Sequence, residues 1–103
     1  MKPLMVAATA SSNATEQYLV ARAKGGSSEA FAALFRGYRG RIAGYVRTIV
    51  ADESRADDLV QEVFISALRN LHTLEDPAAF KSWIFQIAKN ACLDDLRRSR
   101  RRA

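Results

Sequence analysis

The sequence contains one cysteine, Cys92, and one histidine, His72. A lone cysteine excludes a disulfide framework, and the two residues together are too few for a Cys/His zinc cluster. No metal site and no cofactor are expected. Nucleophilic catalysis by a Cys–His pair would have to use these two residues, which stand 20 positions apart with no motif around either. A packed thiol and a loop imidazole are the better reading. No apolar run approaches the roughly 18 residues that span a bilayer. The opening Met1-Lys2-Pro3-Leu4-Met5-Val6 soon gives way to Ser and Asn, a poor signal peptide. Enzyme signatures are also missing. Lys24-Gly25-Gly26-Ser27-Ser28 lacks the preceding strand and the spacing of a phosphate-binding loop. Asp57/Asp58 and Asp94/Asp95 are sequence neighbours that point about 100° apart on a helix, so they read as solvated acids and not as a shared proton or metal site. From these absences a soluble, cytoplasmic protein that is not an enzyme and does not insert in a membrane is expected.

What is present is an ordinary globular mixture, 49% hydrophobic and 26% charged over 103 residues. At about 100–200 residues per domain this is one domain, long enough to bury roughly 60–70% of its unfolded surface. The net charge is +5, but its distribution is more specific than its total. Between Asp52 and Asp76 stand seven acids against Arg55 and Arg69 only. The C-terminal run Arg97-Arg98-Ser99-Arg100-Arg101-Arg102 carries five arginines, and Arg36, Arg39, Arg41 and Arg47 decorate an earlier segment. Separate acidic and basic surfaces suggest two partners of opposite sign, with nucleic acid the natural one for the basic surface.

The apolar pattern predicts an all-α fold, a compact helical domain of three long helices plus a short N-terminal helix. Residues 1–12 lack periodicity and read as a flexible tail. Asn13-Ala14-Thr15-Glu16 resembles a capping box, starting a short helix that turns Tyr18, Leu19 and Ala23 inward and ends at Gly25-Gly26. Ser27 or Ser28 caps a second helix whose apolar positions, from Phe31, Leu34 and Phe35 through Tyr38 and Ile42 to Val50, step by three and four. Gly37, Gly40 and Gly44 cost that helix about 1 kcal/mol each against Ala, and their spacing suggests close approach of a neighbouring helix. Asp52-Glu53-Ser54 caps a third helix with Leu59, Val60, Val63, Phe64, Ala67, Leu68 and Leu71 as its buried stripe. After a loop from His72, Asp76-Pro77 starts the last helix, which turns Phe80, Trp83, Ile84, Ile87, Ala91 and Leu96 inward and runs into the arginines.

Two surfaces carry the candidate chemistry. Asp58, Gln61 and Glu62 at i, i+3 and i+4 form one acceptor-rich patch, suited to a basic helical partner. The last helix combines Phe80, Trp83 and Phe85 with Lys81, Gln86, Lys89, Asn90 and the arginines. Aromatic faces can stack on unpaired bases, and cations can contact phosphates. Composition alone favours Phe80 and Trp83 as core residues.

The segments Asp57-Asp58-Leu59-Val60-Gln61-Glu62-Val63-Phe64-Ile65-Ser66-Ala67-Leu68 and Phe80-Lys81-Ser82-Trp83-Ile84-Phe85-Gln86-Ile87-Ala88-Lys89-Asn90-Ala91-Cys92-Leu93-Asp94-Asp95-Leu96-Arg97-Arg98 closely resemble region two of bacterial sigma factors of the sigma-70 family, most of all the extracytoplasmic-function (ECF) group. Phe31 to Val50 looks like that region's first helical part. The resemblance implies a sigma region 2 domain over residues 13–98, with residues 99–103 as the basic start of an interdomain linker. It implies docking of Asp58, Gln61 and Glu62 on the clamp helices of the RNA polymerase β′ subunit. It further implies capture of the non-template strand of the promoter minus-ten element, with one base flipped into a loop pocket formed by Leu74, Glu75, Asp76, Pro77, Ala78 and Ala79. Phe80, Trp83 and Asn90 lie near that pocket, Lys89, Arg97 and Arg98 are the implied phosphate contacts, and Lys81 and Gln86 are further implied DNA-binding positions.

Two features depart from the family pattern: the loop carries Glu75 and Asp76, and Gln86 stands where many relatives carry Arg. Sigma factors also have a second helical domain that reads the minus-thirty-five element. This sequence stops where the linker to it would begin, which suggests a domain of a longer protein. An anti-sigma protein is a further implied partner. The alternatives are a sigma-like mimic that binds an anti-sigma protein without contacting DNA, and a nonspecific duplex-DNA binder.

Overall fold

The computed structural model describes residues 3–102, with side chains from Ala14 to Arg101. Helix α1 spans Pro3–Lys24, α2 Ser28–Arg47, α3 Glu53–Asn70 and α4 Phe80–Arg102, with single 3-10 turns at Leu71–Thr73 and Pro77–Ala79. No strand occurs among the described residues. Helix α2 packs against α1, α3 and α4, α3 packs against α4, and α1 closes over both 3-10 turns.

The caps follow from local chemistry. At the end of α1 the Gly26 N–H donates to the Ala23 carbonyl and the Ser27 N–H to the Arg22 carbonyl, with Gly26 at φ 106°. This is the double-bonded helix stop that favours glycine, because only glycine takes a left-handed φ without strain. The Ser27 hydroxyl accepts from the Ala30 N–H, and the Asp52 carboxylate from the Arg55 N–H, each satisfying a donor at a helix start. Asp76 does the same for Ala78 N–H, one residue ahead of Pro77. Leu34, Tyr38, Ile42 and Val46 of α2, Leu59, Val63 and Ala67 of α3, and Phe80, Ile84, Ala88 and Cys92 of α4 form one core with Val20 of α1. Burying each large apolar side chain contributes about 1.5–3 kcal/mol. Three edge-to-face aromatic pairs tie α2 to its neighbours: Phe35 with Phe64, Tyr38 with Phe80 and Tyr45 with Phe85.

The structure corrects several expectations. The N-terminal helix is long, 22 residues, and begins at Pro3, so Asn13 falls inside it. Proline suits the first helical position and the alanine-rich segment behind it propagates well. Glu16 makes a tertiary bond instead of a cap: the Tyr38 hydroxyl donates to its Oε1 at 2.8 Å. At the other end α4 continues through Arg102, into the segment expected to be linker. Met1, Lys2 and Ala103, at the outer ends of the expected tail and linker, lie outside the described residues. Gly37, Gly40 and Gly44 face open space, with nothing within 4 Å of where a Cβ would sit, so they mark no helix–helix approach. Tyr18 and Leu68, expected inside, are exposed. Asp95, expected to be solvated, is buried.

Candidate functional site

The α3 surface is built by helical spacing. Asp58, Gln61 and Glu62 are all exposed and share one side of the helix, as their spacing requires. The surface is not purely acidic. Arg55, one turn before Asp58, places its guanidinium nitrogens 3.8 Å from Asp58 Oδ2 and 3.7 Å from Glu62 Oε2. Its Nε donates to Asp95 Oδ1 of α4 at 2.6 Å. That bond is the largest influence raising the Arg55 pKa above its ordinary value. Arg47 of α2 lies 3.7 Å from Asp57.

Beside this surface, Phe31 and Phe35 of α2 and Phe64, Ile65 and Leu68 of α3 line an open groove of about 650 Å³, with Gln61 at its edge. Sequence periodicity assigned most of these residues to the core and did not register the groove. Its trace in the sequence is Ile65, an apolar residue outside the expected buried stripe of α3 and exposed in the structure.

The α4 surface begins at the loop. Glu75, Asp76 and Ala78 are exposed, Pro77 and Ala79 are half-buried, and Leu74 is buried. The Lys24 ammonium of α1 donates to the Leu74 carbonyl, pinning the loop backbone to the end of α1. The Asp76 carboxylate is occupied as a cap. Along α4, Ser82, Gln86, Lys89, Asn90 and Arg97 are exposed and recur at helical spacing on one outward stripe. Gln86 Nε2 donates to Asn90 Oδ1 at 3.3 Å, and Arg97 to Asp94 Oδ1 at 3.0 Å. Lys81 is exposed but lies about 100° around the helix from Ser82. Trp83 is half-buried at the edge of the stripe. Asn90 and Arg98 line a cleft of about 310 Å³ between α3 and α4, whose other wall includes Glu62 and Ser66.

Phe80 is the main departure from the expected site. It is 1% exposed, with its ring 5.3 Å from Tyr38 and 5.9 Å from Trp83 between centroids. It therefore offers no face to a base and acts by packing. Leu74 likewise anchors the loop from inside. Cys92 is fully buried, and burial raises its thiol pKa, while His72 is exposed on a 3-10 turn. No group of three or more metal-ligating side chains occurs among the described residues, and no described helix is long and apolar enough to cross a membrane.

Sequence reasoning missed the Arg55–Asp95 pair. Its trace was present: Asp95 falls seven residues after Ala88 and three after Cys92, on the buried face of α4.

Comparison with known proteins fits this geometry. The chain is 36% identical over 81 residues to RNA polymerase sigma-H factor of Pseudomonas aeruginosa, covering 79% of this chain and 42% of that protein. It is 37% identical over 90 residues to the ECF RNA polymerase sigma-E factor of Haemophilus influenzae, covering 85% of this chain and 46% of that protein. The chain thus spans less than half the length of these curated relatives. Its fold matches, with a TM-score of 0.78 and 33% identity, an engineered region 2 of sigmaE solved by NMR in complex with GTAAAA, covering 84% of this chain and 90% of that one. The relatives are sigma factors, which are transcription initiation factors and not enzymes. Residues 34–102 match Sigma-70 region 2, the part of such factors that takes part in promoter recognition and RNA polymerase binding, and the chain belongs to that family.

Proposed function

We propose that this chain is the minus-ten recognition and melting domain of an ECF sigma factor. It docks on the β′ clamp helices of RNA polymerase through Asp58, Gln61 and Glu62, and it holds the non-template strand of the opened minus-ten element with the 74–79 loop and the outward stripe of α4. The observation that carries this reading is the pairing of two chemically opposite surfaces on adjacent helices: exposed carboxylates on α3, and amides with cations on α4. The likeness to a region 2 bound to GTAAAA supports the nucleic-acid half.

In this reading the domain works without bond chemistry. Flipping a base costs a few kcal/mol of lost stacking. Stacking on an aromatic face returns about 1–3 kcal/mol per base captured, and in this reading the half-buried Trp83 supplies it. Gln86 and Asn90 exchange their mutual hydrogen bond for bonds to base edges. Lys89, Arg97 and Arg98 contact phosphates. Glu75, exposed on the loop, sets base preference by disfavouring some base edges and accepting from others. An anti-sigma protein covering either surface would silence the domain.

Two measurements test the reading. Single-stranded hexamers selected from a randomised pool should bind more tightly than the same sequences as duplex, and Glu75→Ala should change the selected base. Core polymerase should retain the wild-type chain on a column and lose the D58A/Q61A/E62A triple variant, which stays folded at the assay temperature because exposed substitutions usually cost under about 0.5 kcal/mol each. Equal or stronger duplex binding favours the nonspecific binder. Absence of any oligonucleotide binding favours the anti-sigma mimic.

A further inference from the structure

Asp95 is the one buried charged side chain among the described residues, 6% exposed near the C-terminal end of α4. A carboxylate taken from water needs a charged, hydrogen-bonded partner, and Arg55 supplies it across 40 residues of sequence. Arg55 is itself only about one-third exposed, and its planar fork reaches a different carboxylate with each nitrogen: Nε to Asp95, Nη1 to Asp58 and Nη2 to Glu62. The contacts differ in kind. The bond to Asp95 is short, at 2.6 Å. Those to Asp58 and Glu62, at 3.8 and 3.7 Å, are ion pairs beyond hydrogen-bond length. Asp58 and Glu62 are like charges one turn apart, an arrangement that repels and splays side chains unless a cation lies between them.

We propose that Arg55, anchored by Asp95, is a positioning residue for the polymerase-docking surface. It holds the Asp58 and Glu62 carboxylates side by side and leaves their lone pairs open to donors of the partner. The inference rests on the docking role of Asp58 and Glu62 proposed above. Because Arg55 is held from α4, it does not swing out to neutralise the two acids when a basic helix arrives. The planar fork matters as much as the charge, since a lysine ammonium in its place is a single point that serves one carboxylate at a time.

The test is a double-mutant cycle on affinity for purified core RNA polymerase, with thermal melts run beside it. Arg55→Lys should weaken binding about fivefold to tenfold, a coupling typical of residues in one network. In a D58N/E62Q background the same change should have almost no further effect, because the carboxylates it positions are gone. Asp95→Asn, which is isosteric and lies away from the docking surface, should weaken binding in the same manner and non-additively with Arg55→Lys. It carries the same cycle should Arg55→Lys melt below the assay temperature. A purely structural pair would show an equal loss in both backgrounds, and that result overturns the proposal. So does Arg55→Lys binding like the wild type while D58N/E62Q is weakened. If D58N/E62Q itself binds like the wild type, the docking reading fails and this proposal falls with it.

Discussion

Replacing Phe80 separates packing from recognition. The ring is 1% exposed and sits between Tyr38 of α2 and Trp83 of its own helix, at the point where the loop enters α4. An aromatic side chain buries about 150–250 Å², so at about 25 cal/mol per Å² its removal from water is worth roughly 4–6 kcal/mol as an upper bound. Phe→Ala changes in cores cost about 3–5 kcal/mol. The edge-to-face pair with Tyr38 places this site in the upper part of that range. Against a total stability of about 5–15 kcal/mol, Phe80→Ala should leave a marginal fold. For a chain of this size each kcal/mol moves the melting midpoint by about 4–8 °C, so the drop should be at least about 16 °C. Phe80→Leu keeps most of the volume and should cost about 1–1.5 kcal/mol. Urea and thermal unfolding followed by circular dichroism give both values. Oligonucleotide titration of Phe80→Leu well below its midpoint should match the wild type. A midpoint for Phe80→Ala within about 2 °C of the wild type would refute the core placement. Loss of oligonucleotide binding by a fully folded Phe80→Leu would restore the ring to the recognition surface.

Further outcomes follow from other contacts. Arg98, Arg100 and Arg101 are exposed on the last turns of α4. Replacing all three by Gln, which keeps helix propensity, should lower oligonucleotide affinity regardless of sequence and reduce the log–log salt slope by about 0.7 for Arg98 and for each of the others that also meets a phosphate, up to about 2 in all. An unchanged slope would mean that these side chains remain solvated. Burial, helped by the bond to Glu16, pushes the Tyr38 pKa from 10.0 up to about 12. The folded state thus favours the neutral phenol, and the associated stability, complete below pH 10, is lost as pH rises towards 12. Urea titrations across this window should show a decline that Tyr38→Phe lacks; identical profiles would show that the phenol titrates normally. Asp76→Ala should cost about 0.5–2 kcal/mol by removing the acceptor for the Ala78 N–H, and should loosen the loop while leaving polymerase retention intact.

Much of this protein is legible one helix at a time. The step of three and four along Leu34, Tyr38, Ile42 and Val46 names the inner face of α2, and the same step from Leu59 to Ala67 names that of α3. Ser27, Asp52 and Asp76 declare helix starts because a short acceptor side chain reaches the next turn's N–H, and Gly26 declares a stop because it takes a φ closed to other residues. That Asp58, Gln61 and Glu62 share one side follows from 3.6 residues per turn. Periodicity, however, assigns a residue to a face without saying what covers that face. Phe80 and Trp83 share one apolar side of α4, and only the approach of Tyr38 makes the first core and leaves the second at the edge. Leu68 looks as buried as Val63 by spacing, yet it stays exposed, with none of the described side chains covering it. The spacing of Gly37, Gly40 and Gly44 suggests a contact that the packing never makes. Asp95 carries a charge that composition assigns to water, and it goes inside because Arg55, distant in sequence, meets it when α3 and α4 pack. Local hydrogen bonding and helical period lie in the sequence of each segment; which helix meets which, and so which polar groups are buried in pairs, is settled only when the helices assemble.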